Sequence, residues 1–402
     1  MYFKDIHHTR KKMKIVFLFD STYPFYTGGI ETWIYNVCER LVDKHQITIF
    51  NVENYRKNDS MGHFENINPK IEFVSVKNLN HIRFLKPFVR SYIAEYNSNI
   101  TAHSMRKAFR KWMEPGEKYY VIALGTVFAA KTVRLLKKEF PQITAIVSSR
   151  SLHPEVLGEN YPGTKRIALK MERKNLEAVD GVWSNGEDTR DALKKKGFDS
   201  IVIRNGLDVG RLKETKAYDF SEMGLEGKRV VVTIGTVQKI KGYYELIEAI
   251  RYLKENYNFE LHLVGIGKGN LEKFYDFAAK NGVREQIHFT GEQRNVVPYA
   301  KAADLVACLS GGSGYGMAAL ESMLSKTPVV AWDSPVYRQL IKNGENGYLV
   351  PAWDAKALAE HIYMNWNVMV ENTAVGEKAA TFVQKFDWSC VIDDIESALE
   401  KF

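Results

Sequence analysis

The densest chemistry in this 402-residue chain lies in Ser310–Ala331, SGGSGYGMAALESMLSKTPVVA. A glycine-rich loop runs into a helical pattern, then a Pro turn and an apolar strand. Glycines let backbone N–H groups approach a ligand, and a helix N-terminus adds positive potential, so the stretch suits a phosphate or a sugar. Ser313, Tyr315, Gly316 and Met317 line that loop, and Glu321 follows inside the helix, where a carboxylate accepts O–H bonds from a hydroxylated ligand. A second segment, VTIGTVQKIKG, brings Lys239 and Lys241 to a loop entering a helix, a sensible anion site. Near the N-terminus, TGGIETW places Gly28 and Gly29 before a helix with Glu31 in its first turn. After the run ITAIVSS come Arg150 and His153. A guanidinium stays charged and contacts phosphate or sugar oxygens without accepting a proton, and His153 is a lone histidine in the following loop.

The elements that must hold these residues follow from the apolar pattern. KIVFLFD (14–20) is short, continuous and apolar, the mark of a buried parallel strand. Ile30, Ile34, Val37 and Leu41 then recur at helical spacing. Strands QITIFNV, KIEFVSV, YYVIALG and ITAIVSS alternate with helical stretches, which predicts a doubly wound parallel sheet. After a charged linker at about 211–228, RVVVTIG opens a second alternating series that ends at PVVAW. The plan is α/β, two Rossmann-like domains at 1–208 and 209–380, with a terminal helix at 381–402.

Composition narrows the class. The length suits two domains of roughly 200 residues. No apolar run approaches the ~18 residues that span a bilayer, and MYFKDIHHTRKK lacks a signal-peptide core, so a cytoplasmic location is expected. Cys38, Cys308 and Cys390 are too scattered for a disulfide framework or a zinc cluster. The net charge of +8 admits nucleic acid, an anionic membrane or phosphorylated substrates as partners. No nucleic-acid module is present. Residues 82–112 mix Arg106, Lys107, Arg110 and Lys111 with Phe109 and Trp112; such a basic amphipathic helix suits an anionic membrane surface, and equally a solvated basic face over an aromatic core.

Six segments in order resemble one family, the family 4 glycosyltransferases: TGGIETW, VIRNGLDVGRL, VTIGTVQKIKG, LHLVGIGKG, the Ser310–Ala331 stretch with NGENGYLV, and the final FDWSCV helix. The resemblance covers roughly residues 14–400. It implies the GT-B fold, two Rossmann-like domains facing across a cleft, with the last helix crossing back to the first domain. It also implies a metal-independent, retaining transfer from a nucleotide sugar (UDP, GDP or TDP sugar) to a lipid-linked or glycan acceptor, with no cofactor, at the inner face of a membrane. By the same resemblance Lys241 contacts the diphosphate and Glu321 holds the ribose, while the amides at Gly316 and Met317 meet sugar or phosphate. Three positions depart from the pattern: Ser313 stands for an acid, Thr236 for an arginine, which Lys239 could replace in charge, and Arg150 for a histidine. They imply a changed donor sugar, or a non-catalytic relative acting as scaffold for an active transferase.

Overall fold

The computed structural model describes residues 12–19, 29–53, 67–77, 90–150, 165–293, 295–311, 315–371 and 373–402. The chain forms two compact units, Met1–Arg204 with Val391–Phe402, and Asn205–Cys390.

The first unit is a seven-stranded parallel sheet of order β3-β2-β1-β4-β5-β6-β7. Its strands are β1 Lys14–Leu18, β2 Gln46–Glu53, β3 Glu72–Lys77, β4 Tyr119–Leu124, β5 Thr144–Ser149, β6 Gly181–Ser184 and β7 Ile201–Val202. Strands β4 and β5 are buried along their whole length, as expected when helices cover both faces of a parallel sheet. The helix Gly29–Leu41 buries Ile34, Val37 and Leu41 of its expected apolar face, together with Glu31, Trp33 and Cys38, while Ile30 is only half-buried.

The second unit is a six-stranded parallel sheet of order β10-β9-β8-β11-β12-β13. It comprises β8 Val230–Ile234, β9 His262–Ile266, β10 Ile287–Gly291, β11 Leu305–Cys308, β12 Val329–Trp332 and β13 Tyr348–Val350. In each sheet the strand order reverses once, between β1 and β4 and between β8 and β11. Ligands of open α/β sheets sit at such switch points, beyond the carboxyl ends of the strands.

One device recurs in both sheets. Asp180, just before β6, accepts the Ala145 N–H at 2.7 Å, and Asp304, just before β11, accepts the Val230 N–H at 2.7 Å. Each carboxylate takes up a main-chain donor on a neighbouring strand that would otherwise lack a partner.

The division differs from the sequence expectation at its far end. Residues 381–390 stay with the second unit, because Leu207 N–H donates to Phe386 O at 2.7 Å and Trp388 N–H to Leu207 O at 3.0 Å. The first unit regains the chain only from Val391. There Glu396, fully buried, meets His45 Nε2 at 3.0 Å. The Met13 N–H donates to His45 Nδ1 at 3.2 Å, so the ring proton sits on Nε2 and is given to Glu396.

Candidate functional site

At the switch point of the second unit β8 and β11, and the loops that follow them, are tied together. Thr233 Oγ1 donates to Ala307 O at 2.9 Å, and Gly311 N–H donates to Ile240 O at 2.9 Å. Gly242 has a left-handed φ of 73°, and a Cβ there would meet Leu309 Cβ at 2.5 Å, so the close approach of the loops requires glycine.

Lys239–Lys241 form a 3-10 turn, and the helix Tyr243–Tyr257 starts directly after Gly242. The helix Met317–Leu324 starts after Gly316, also left-handed at φ 74°. Neither helix carries a side-chain cap at its N-terminus. Their first-turn N–H groups therefore remain for an anion at the carboxyl edge of the sheet.

Two charged groups stand at this edge without an ion-pair partner among the described residues. Lys241 is half-buried and donates only to the neutral Ser310 Oγ, at 3.3 Å. Burial lowers its pKa. Glu321 is half-buried, and burial pushes its carboxyl up from 4.5 to about 7. The buried Cys308 thiol senses both groups: burial pushes it up to about 12, Lys241 draws it down and Glu321 raises it. A cation and a carboxylate, both desolvated and neither neutralised, suit a ligand that brings an anion and hydroxyl donors.

The remaining expected residues fall in several places. Lys239 is exposed. Thr236 is half-buried, one residue after Gly235 (φ 135°). Tyr315 is buried, with its ring edge-on to Phe386 at 6.1 Å, so it is part of the core beneath the loop. Gly316 and Met317 open the helix that carries Glu321. Gly28, His153 and Ser313 lie outside the described residues. Gly29 begins the first helix, and a Cβ there would meet nothing within 4 Å, so no crowding within the first unit demands glycine at this position.

Arg150 is buried at the end of β5. Its guanidinium lies 4.1 Å from the centre of the Trp33 ring and donates to Ile203 O at 2.9 Å. Trp33 Nε1–H in turn donates to Arg204 O at 3.2 Å, and Asn185 Nδ2 donates to Arg150 O at 2.8 Å. A planar, permanently charged group is needed to make both the stack and the bond.

The basic segment is less free than its sequence suggests. Arg90–Trp112 is one helix. Arg106 bonds Glu139 at 2.6 Å, and Arg110 pairs with the same carboxylate, which these arginines hold below the usual carboxylate range. Phe109 and Trp112 turn inward into an aromatic cluster with Phe50 and Tyr119. Lys107 and Lys111 are exposed. Among the described residues no helix is long and apolar enough to cross a membrane.

Sequence reasoning missed Ser310 and Cys308 as neighbours of Lys241. The buried Tyr337 hydroxyl lies beside the Ser310 main chain and the Cys308 thiol. In the sequence Cys308 reads as a small core residue.

Residues 215–364 match the family model described as Glycosyl transferases group 1. A phosphatidyl-myo-inositol mannosyltransferase of Mycobacterium leprae is 29% identical over 215 residues, 52% of this chain and 55% of the relative, so the match spans about half of that protein's length. A lipopolysaccharide core biosynthesis glycosyltransferase, LpsE, of Rhizobium meliloti is 32% identical over 239 residues, 58% of this chain and 67% of the relative. Among solved structures, Anabaena HepE in complex with UDP superposes with a TM-score of 0.72 at 18% identity, covering 97% of this chain and 100% of that one.

Proposed function

Because this chain belongs to the group 1 glycosyltransferase family and has the GT-B fold, we propose that it transfers a sugar from a nucleotide-sugar donor bound by its second unit to a glycan or lipid-linked acceptor. The carrying observation is the unpaired half-buried pair Lys241 and Glu321 at the β8/β11 switch point, beside two uncapped helix N-termini. Lys241 and the first-turn amides of Tyr243–Tyr257 neutralise the charge that builds on the departing diphosphate. Glu321, once ionised, accepts the ribose hydroxyls. The amides at Gly316 and Met317 meet the sugar or its phosphate, and Lys239 adds a second cation at the rim. Arg150, fixed by Trp33 and Ile203, belongs to the acceptor side as a positioned cation.

In this proposal the transfer is retaining, needs no metal, and takes place at the inner face of a membrane, with Lys107 and Lys111 available to anionic lipid. Support for a lipid or glycan acceptor comes from the relatives named for phosphatidyl-myo-inositol and lipopolysaccharide core. Calorimetry with UDP, GDP and TDP tests the reading: one of them binds the wild type and fails to bind Lys241→Ala. Absence of binding by every nucleotide leaves the scaffold role instead.

A further inference from the structure

Trp353 follows β13 in a turn and has a φ of 66°. Bulky residues avoid this left-handed region, because Cβ crowds the backbone. Among the described residues the other non-glycine positions at positive φ are Asn258, which closes a helix, and Lys326, in the turn after one. Trp353 is 46% exposed, although an indole gains from being buried. The chain thus holds a large apolar side chain in a costly conformation and leaves nearly half of it in solvent.

Its surroundings say where that surface is presented. The indole lies directly on Gly311, whose missing Cβ is the space it occupies. Its ring centre is 6.3 Å from that of the fully buried Trp332, which backs it. Gly311 is bonded to Ile240, also 46% exposed and adjacent to Lys241. The exposed indole and Ile240 therefore flank the loop that binds Lys241 through Ser310, on the β11–β13 side of the switch point.

We infer that Trp353 is the platform for the transferred sugar: the apolar C–H face of a donor pyranose lies on the indole while its diphosphate meets Lys241. This deepens, and rests on, the reading of the second unit as a nucleotide-sugar site. A sugar ring pairs one apolar face with a hydroxyl-bearing edge, and this surface pairs a flat indole on Gly311 with the neighbouring Ser310 hydroxyl and the Lys241 ammonium it accepts from. The role explains both the strain and the exposure, neither of which packing alone explains.

The test uses the whole chain in calorimetry with UDP, GDP and TDP, and with their glucose, galactose, mannose and N-acetylglucosamine conjugates. Glycine adopts φ 66° without strain, which offsets part of the packing lost with the indole, so Trp353→Gly still folds, as a melting curve checks. It should leave the nucleoside diphosphate Kd within about twofold and weaken the matching sugar nucleotide about tenfold, with Trp353→Phe in between. Gly311→Ala, which pushes the indole away, should reproduce the loss. Equal weakening of nucleotide and sugar nucleotide in Trp353→Gly, or no weakening, overturns the inference. So does a wild type to which no sugar adds affinity, although nucleotide binding would then still stand. If no nucleotide binds the wild type, the functional reading fails first and the platform falls with it.

Discussion

The two units treat buried charge in opposite ways. In the first, Glu172 is buried and fully answered: Lys196 Nζ lies 2.7 Å from one oxygen and Thr126 Oγ1 donates to the other at 2.8 Å. His45 with Glu396, and Arg150 with Trp33 and Ile203, are likewise partnered. In the second unit Lys241 and Glu321 are desolvated and have no counter-charge among the described residues. Paired buried charge fixes a fold, whereas unpaired charge weakens the empty protein and is relieved only by a ligand. Position in the sheet agrees, since the unpaired groups stand at the β8/β11 switch point.

Substitutions should separate the two kinds of charge. Lys241→Ala is expected to lower transfer roughly 10²- to 10³-fold, with no loss of thermal stability. Steady-state rates and a melting curve on the same preparation check both halves; a large stability loss would move Lys241 into the structural class. Glu172→Ala should do the reverse. It removes the acceptor of the Thr126 hydroxyl and the carboxylate beside Lys196, at a cost of about 3 kcal/mol in denaturant unfolding, while nucleotide affinity stays unchanged.

Glu321 offers the sharpest contrast, through pH. Its folded carboxyl titrates at about 7 against 4.5 unperturbed, so between these values the folded state holds a proton the unfolded state releases. Stability therefore falls as pH rises through that window and levels off above about 7. Allowing for its partial exposure, the cost above that point is about 2 kcal/mol. Glu321→Gln should recover this amount at pH 8 and be flat across the window, yet bind nucleotide about tenfold more weakly. In the wild type, nucleotide affinity should drop as pH falls through about 7, because only the carboxylate accepts both ribose hydroxyls. Unfolding curves at pH 5 and pH 8 decide: parallel behaviour of wild type and Glu321→Gln would reject the assignment. The smallest effect is expected from Arg150→Lys, about 1 kcal/mol, since an ammonium keeps the charge but loses the flat stack on Trp33.

Much of this was legible beforehand. Apolar runs such as YYVIAL and TAIVSS need both faces covered, which fixes a parallel sheet with helices, and Lys241 and Glu321 stand in segments whose glycines mark a ligand loop. Other features depend on partners far away in sequence. Arg106 and Arg110 look free until Glu139, outside their helix, comes beside them. The apolar pattern alone puts the return near residue 381, ten residues before Val391, because the pairing of Leu207 with Phe386 and Trp388 has no local signal. Trp353 could not be singled out at all: its significance lies in a backbone angle and in contact with Gly311, and residue type encodes neither.

The pairing of His45 with Glu396 also sets an order of events. The partners lie 351 positions apart, and the whole second unit is synthesised between them. A ribosome delivers the first unit's seven strands early, but the segment that buries Glu396 and lays the Phe402 ring against Gly181 arrives only after the whole second unit. The first unit must therefore wait, incompletely covered, until the second has left the exit tunnel. Closure over so long a loop is slow, and the exposed apolar face is then at its most vulnerable to aggregation. The earlier-made half of this protein is the later one to finish folding.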